Sequence, residues 1–165
     1  MKKNQIITHL SLKPHVEGGF FHRTYQSEQR TTSSDIGEAR PLLSSIYYLL
    51  TDDSPIGYLH KNRSDIIHYF HSGSHLTYHI IHPDGKVERV VLGKDLAAGQ
   101  KLQLIVKGGC WKATELTTGE YGLVSEAVCP GFDYADMTIA TREEIQRLFP
   151  KNLDELDRLI KSVQD

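Results

Sequence analysis

Cysteine is scarce. Cys110 and Cys129 are the only two in 165 residues, and neither has a CxxC partner. Two thiols cannot build a disulfide scaffold or a cysteine-based zinc site, which points to a reducing, cytoplasmic setting. An excess of one charge is also missing, since 19 basic and 21 acidic side chains leave a formal charge of −2. Nothing drives phosphate binding, so no nucleic-acid partner is expected. The longest uninterrupted apolar run is Ile46 to Leu50, too short to span a bilayer. Met1 to Gln5 is followed by no apolar stretch of the kind a secretion signal needs, and no membrane partner is expected. His-Glu-x-x-His, a phosphate loop and a Gly-x-Ser-x-Gly elbow are absent as well. The common zinc-protease, nucleotide-hydrolase and serine-hydrolase chemistries are thereby set aside.

What is present fits one soluble domain over residues 1–165, with 39% hydrophobic and 24% charged residues. Ile6, Ile7 and Leu10 have helical spacing within Asn4 to Leu12, and Pro14 closes that segment. Ser27 to Arg40 is polar and reads as an exposed loop. From there the pattern is β. Candidate strands are Phe20–Gln26, Ser44–Leu50, Ile66–His71, Leu76–His82, Val87–Leu92, Lys101–Val106, Cys110–Glu115, Tyr121–Val128 and Met137–Ala140. The breaks carry turn chemistry, most clearly Pro83-Asp84-Gly85, where a hairpin is expected. Short strands without long helices between them favour a barrel or sandwich, placed at about residues 17–140. Helix returns at about 141–163. Thr141 with Glu144, and Asn152 with Glu155, have the capping-box spacing. Leu153, Leu156, Leu159, Ile160 and Val163 form an apolar face that packs on the barrel or on a partner.

Histidine is the outlier. Six of nine lie between His60 and His82: His60, His68, His71, His75, His79 and His82. Imidazole is both a metal ligand and an acid–base group near neutral pH, so the cluster is a candidate site. The competing reading is a set of surface and cross-strand residues. Cys110, between Gly109 and Trp111, reads as a buried, inert thiol.

The order of motifs resembles a family. Glu17-Gly18-Gly19-Phe20-Phe21 followed by Arg23-Thr24-Tyr25 resembles the opening of a small single-domain branch of the cupin superfamily, a domain of unknown function. Ser44 to Leu50, His60 with Ser64-Asp65, Phe70-His71-x-Gly73, Gly109-Cys110-Trp111 and Val128-Cys129-Pro130-Gly131-Phe132-Asp133 follow in the same order. The resemblance implies an all-β, double-stranded β-helix or jelly-roll barrel with one pocket at its open end, often as a homodimer. Metal-binding cupins carry His-x-His, then a Glu, with another His on a later strand. Laid on this chain, that pattern keeps His60 but meets Asn62, Ile66 and Lys112 at the other positions. No metal cofactor is therefore expected. The alternative is a shifted divalent site using His60 with His68 or His71.

Within such a pocket His60 is the candidate general base or hydrogen-bond donor, and Asp65 would orient it. Arg23, sharing a strand face with Tyr25, would clamp a carboxylate or phosphate. Trp111 and the Tyr47-Tyr48 pair offer flat surfaces for a ring. Glu126, a carboxylate in mid-strand, would face a polar pocket or solvent. The leading expectation is a small-molecule-binding protein, as a metal-independent isomerase or epimerase of a sugar-like or carboxylate-bearing metabolite. The alternatives are a non-catalytic metabolite-sensing barrel and a metal-dependent oxygenase or isomerase with rearranged ligands.

Overall fold

The computed structural model describes residues 1–32 and 37–162. Val163 and part of the polar stretch 27–40 lie outside the described residues. Helix α1 (Lys3–His9) precedes the strands β1 (Lys13–Pro14), β2 (Phe20–Gln26), β3 (Arg30–Thr31), β4 (Arg40–Pro41), β5 (Ser44–Thr51), β6 (Ile56–Asn62) and β7 (Asp65–Gly73). Strands β8 (Leu76–Ile81), β9 (Val87–Leu92), β10 (Gln103–Val106), β11 (Trp111–Glu115), β12 (Tyr121–Cys129) and β13 (Met137–Ile139) complete the β region. Two short helices, α2 (Arg142–Leu148) and α3 (Leu153–Leu156), follow. Among the described residues no helix is long and apolar enough to cross a membrane.

Two antiparallel sheets face each other as a jelly roll. One has the order β1-β2-β5-β12-β7-β10 and the other β13-β6-β11-β8-β9, while β3 and β4 pair inside the polar stretch. Non-sequential neighbours such as β5 and β12 give the double-stranded β-helix expected from the strand pattern. The nine strands read from the sequence are all present, with ends shifted by at most two residues. Strand β6 was not read. Pro55, Gly57 and the polar His60, Lys61 and Asn62 dilute its β-branched signal, because both of its faces are covered.

Alternation along each strand divides the side chains into three layers. Tyr48, Leu50, Tyr78, Ile80, Leu92 and Val124 point between the sheets and form the central core. On the outer face of the six-stranded sheet, Leu49 and Leu123 are covered by Ile6 and Leu12 of the N-terminal segment. On the outer face of the other sheet, Leu59, Ile81, Trp111 and Ala113 are covered by Ile145, Leu153, Leu156 and Leu159. The C-terminal apolar face thus packs on its own barrel. Thr141 caps α2 by accepting from the Glu144 N–H at 3.1 Å, whereas Asn152 makes no side-chain cap. Half-buried Glu115 adds a polar tie, accepting from His79 Nε2 at 2.9 Å and from Arg158 after α3.

Leu156 is fully buried between α3 and the sheet. Leu156→Ala is expected to lower the unfolding free energy by about 2–5 kcal/mol through lost burial and a residual cavity. Urea titration checks this, and a loss below about 1 kcal/mol would mean the C-terminal helices are not docked as described.

Candidate functional site

The inner layer is apolar at one end of the barrel and polar at the other. The polar end begins with the turn ahead of β2. Gly18 and Gly19 have φ of +92° and +68°, a region that favours glycine. A Cβ on Gly18 would also collide with the Ile56 carbonyl. The Tyr58 N–H donates to the Glu17 carbonyl at 2.6 Å, and the Tyr48 hydroxyl donates to the Gly18 carbonyl at 2.9 Å. These contacts pin the turn across β6 and turn the Glu17 side chain into the barrel.

There Glu17 Oε2 lies 3.3 Å from His60 Nε2 and 3.5 Å from His15 Nδ1. All three side chains are nearly removed from solvent. His60 Nδ1 donates to the Tyr58 carbonyl at 2.7 Å, so in the neutral ring Nε2 carries the lone pair. Among the described residues, His60 Nε2 and Asn62 Oδ1 are two of three buried side-chain atoms without a hydrogen-bond partner. Burial pushes the Glu17 carboxyl up to about 8, with Lys112 offsetting only part of the rise. Burial, and then Lys112, push His60 down to about 3, and burial takes His15 to about 4. Distance alone would make Glu17 and His60 an ion pair. Desolvation on both sides instead favours a carboxylic acid facing a neutral imidazole.

Behind this pair lies a second network. Lys112, 3% exposed, donates to His68 Nε2 at 3.1 Å, and its Nζ is 3.7 Å from Glu126 Oε2. His68 Nδ1 is then the protonated nitrogen and faces Glu126 Oε1 at 3.2 Å. Burial opposes ionisation of Glu126, but Lys112 and His68 outweigh it and hold the carboxyl well below its usual range. The two networks border a small cavity with room for about two waters. Phe21, Ile46 and Phe132 supply apolar wall, and Arg23 stands at the edge, bonded to Gln26 at 2.6 Å.

Of the sequence candidates, His60, Glu126 and Arg23 border this cavity, and His68 lies just behind it. The others require correction. Asp65 does not orient His60, because its carboxylate accepts from Lys107 at 2.6 Å and from the Gly108 N–H at 2.8 Å. Tyr25 does not share a face with Arg23. The register shifts between them, setting Arg23 opposite Ile46 and Tyr25 opposite Ser45, and such a bulge reverses alternation. Tyr47 is on the outer face of its sheet, edge-on to His71 at 5.9 Å. Trp111 is buried under the C-terminal helices with Lys61 Nζ 4.5 Å from its ring centroid, so it cannot stack a ligand inside. His71 also faces outward, bonded to Ser125 Oγ at 2.8 Å, which splits the His60, His68 and His71 alternative. Glu17, His15, Asn62 and Lys112 were not read as site residues. For Lys112 a signal existed: a lysine between Trp111 and Ala113 in a buried strand.

A sequence profile described as Cupin superfamily (DUF985) matches residues 4–140. The chain belongs to this cupin family. An uncharacterized protein of Saccharomyces cerevisiae is 36% identical over 169 residues, covering 94% of this cupin and 79% of that protein. A hypothetical protein from Leishmania major superposes with a TM-score of 0.92 at 29% identity, over 98% of this chain and 100% of that one. A Shewanella oneidensis protein gives 0.89 at 32% identity, over 99% of each chain. Oxalate decarboxylase from Bacillus subtilis, at 15% identity and a TM-score of 0.54, shares the fold; the match spans 88% of this cupin and 36% of that chain.

Cupins with metal place a divalent ion in the barrel, and the residues of this one do not fit it. Ile66 offers no donor atom, and Lys112 brings an ammonium where a ligand would stand. Among the described residues, no three His, Cys, Asp or Glu side chains converge to hold an ion.

The buried groups set the pH response. His15, His60 and His68 stay neutral below their ordinary 6.5 while the unfolded chain takes up protons, so stability falls as pH drops below about 6.5. Glu17 has the opposite sign. Folded, it keeps its proton up to about 8 but unfolded only to 4.5, so stability falls as pH rises across that interval. Wild type is expected to be most stable near pH 7 and to lose stability toward pH 8 at a slope of about 0.5 kcal/mol per unit, the histidines offsetting part of the Glu17 contribution. In Glu17→Gln that alkaline slope should vanish. Urea titrations from pH 5 to 9 check it, and an unchanged slope in the variant would place the titrating group elsewhere.

Proposed function

We propose that this cupin binds a small hydroxylated, carboxylate-bearing or sugar-like metabolite and isomerises it by proton transfer through Glu17 and His60. The observation that carries the reading is the unpartnered His60 Nε2, buried beside the cavity and 3.3 Å from Glu17 Oε2. With Nδ1 tied to a backbone carbonyl, Nε2 is a lone pair fixed in direction, and Glu17 supplies an acidic O–H next to it. General acid–base catalysis needs such a pair within hydrogen-bond reach of the reacting atoms.

The step balances. His60 Nε2 takes the proton from a carbon next to a carbonyl as that C–H bond breaks. Its electrons form the carbon–carbon double bond of an enediol, and the Glu17 proton passes to the carbonyl oxygen. Two neutral groups thereby become an imidazolium and a carboxylate in contact, each stabilising the other. Return of a proton to the neighbouring carbon, or to the opposite face, gives the isomer or epimer and restores both groups. Arg23 at the mouth would hold an anionic end.

Proton NMR in heavy water with a panel of three- to six-carbon aldoses, ketoses and hydroxy acids tests the reading. Loss of a C–H signal is expected for at least one compound, slowed by about 100-fold or more in His60→Ala and in Glu17→Gln. Ligand-induced stabilisation without exchange for any compound would instead favour a non-catalytic metabolite-binding barrel.

A further inference from the structure

Of the three buried side-chain polar atoms without a hydrogen-bond partner among the described residues, two belong to residues that border the same cavity. The proton transfer proposed above accounts for His60 Nε2. It does not account for Asn62 Oδ1. Asn62 follows His60 by two residues in β6, so both side chains take the inner face, about 7 Å apart along the strand. Lys61 between them turns outward, over the Trp111 ring. Asn62 is 7% exposed, and its backbone is held on both sides. It faces Met137 of β13 in register, and its carbonyl accepts from the Gly109 N–H at 2.9 Å. The strand is fixed while the amide oxygen is left without a donor. A buried acceptor in that state costs free energy that an apolar side chain of similar shape would not. Packing therefore gives no reason for asparagine here, and a ligand that completes the contact does.

What that ligand must bring follows from the groups around the cavity. His60 Nε2 and Asn62 Oδ1 are both acceptors, so a carboxylate end would set further acceptors against them. A hydroxyl donates. Glu17 offers an acidic O–H to a carbonyl oxygen. A carbon that carries a C–H for His60 and an O–H for Asn62, bonded to a carbonyl for Glu17, engages all three groups at once. We propose that Asn62 is the specificity-determining residue of this cavity: its amide oxygen accepts the hydroxyl on the carbon next to the substrate carbonyl, which selects α-hydroxy aldehydes and ketones. This rests on the acid–base reading of Glu17 and His60 and narrows it. As the C–H bond breaks, the hydroxyl becomes an enol O–H, a stronger donor, so the contact with Asn62 tightens while the enediol forms. Arg23, at the edge and bonded to Gln26, then serves an anionic group farther along the molecule.

The test sets aldoses against their 2-deoxy counterparts, ribose against 2-deoxyribose and glucose against 2-deoxyglucose. Each pair presents the same reacting carbon with and without its hydroxyl. In heavy water, wild type is expected to exchange the hydroxylated member of a pair with kcat/KM higher by about 100-fold or more, and Asn62→Leu should bring the two within about threefold. The urea midpoint of Asn62→Leu should equal or exceed that of wild type, because an unmet acceptor gives way to apolar volume. Titration of each pair into isotopically labelled wild type reads binding apart from turnover, with the Asn62 side-chain amide signals assigned by their loss in the variant. Those signals should move at concentrations of the hydroxylated member about 10-fold lower than of the deoxy one. Equal affinity within each pair, Asn62 signals that no compound moves, or a urea midpoint that falls in Asn62→Leu overturns the proposal. The comparison within wild type covers the case in which the variant fails to fold. Preferential binding without exchange would sink the isomerase reading alone and leave the role of Asn62 standing.

Discussion

A lysine ammonium inside a β-barrel needs acceptors on every side, and the polar end of this cupin is organised by that requirement. Lys112 donates to His68 Nε2 and lies against Glu126, and His68 Nδ1 faces the Glu126 carboxylate at 3.2 Å. The three groups close on themselves as one cation, one anion and one neutral ring. Such a set is not a large source of stability by itself, since desolvation cancels most of the attraction. Breaking it by removing one partner is another matter and costs about 3–5 kcal/mol. The positions opposite and beside it therefore have little freedom to acquire a further charge.

That constraint explains the state of the neighbouring pair. Glu17 and His60 are buried next to a charge balance that is already complete, so an additional ion of either sign has no counterion to meet. Desolvation then decides, leaving an acid with its proton and an imidazole without one. The double glycine and the contacts from Tyr48 and Tyr58 hold that arrangement in place. A resting pair that is neutral, yet becomes a contact ion pair after a single proton moves, suits a reaction in which charge develops transiently.

The architecture was legible because it rests on period-two alternation and turn chemistry, which act locally. The stretch from Tyr121 to Cys129 reads as a strand in any context, and Pro83-Asp84-Gly85 makes a turn wherever it stands. Strand β6 escaped because its inner face is polar for the site's sake and its outer face carries Leu59 and Lys61 under the C-terminal cover. The site was harder to read because it depends on which face each residue takes. Trp111 and Lys112 are adjacent, and one step of strand phase separates the packed exterior from the interior. The irregularity between Arg23 and Tyr25 breaks a phase that the sequence presents as continuous. Glu126 stood out as a mid-strand carboxylate, but its partners Lys112 and His68 come from two other strands. No local pattern links them.

The division of charge inside the barrel is the central claim, and the protonation state of Glu17 reports on it most directly. Infrared difference spectroscopy between wild type and Glu17→Gln would isolate the carboxyl stretch of that one residue. The account predicts a protonated-acid band at pH 7 that gives way to carboxylate as pH passes about 8. A carboxylate signal at pH 7, with the acid band appearing only near the ordinary 4.5, would contradict it and make Glu17 and His60 an ion pair at rest.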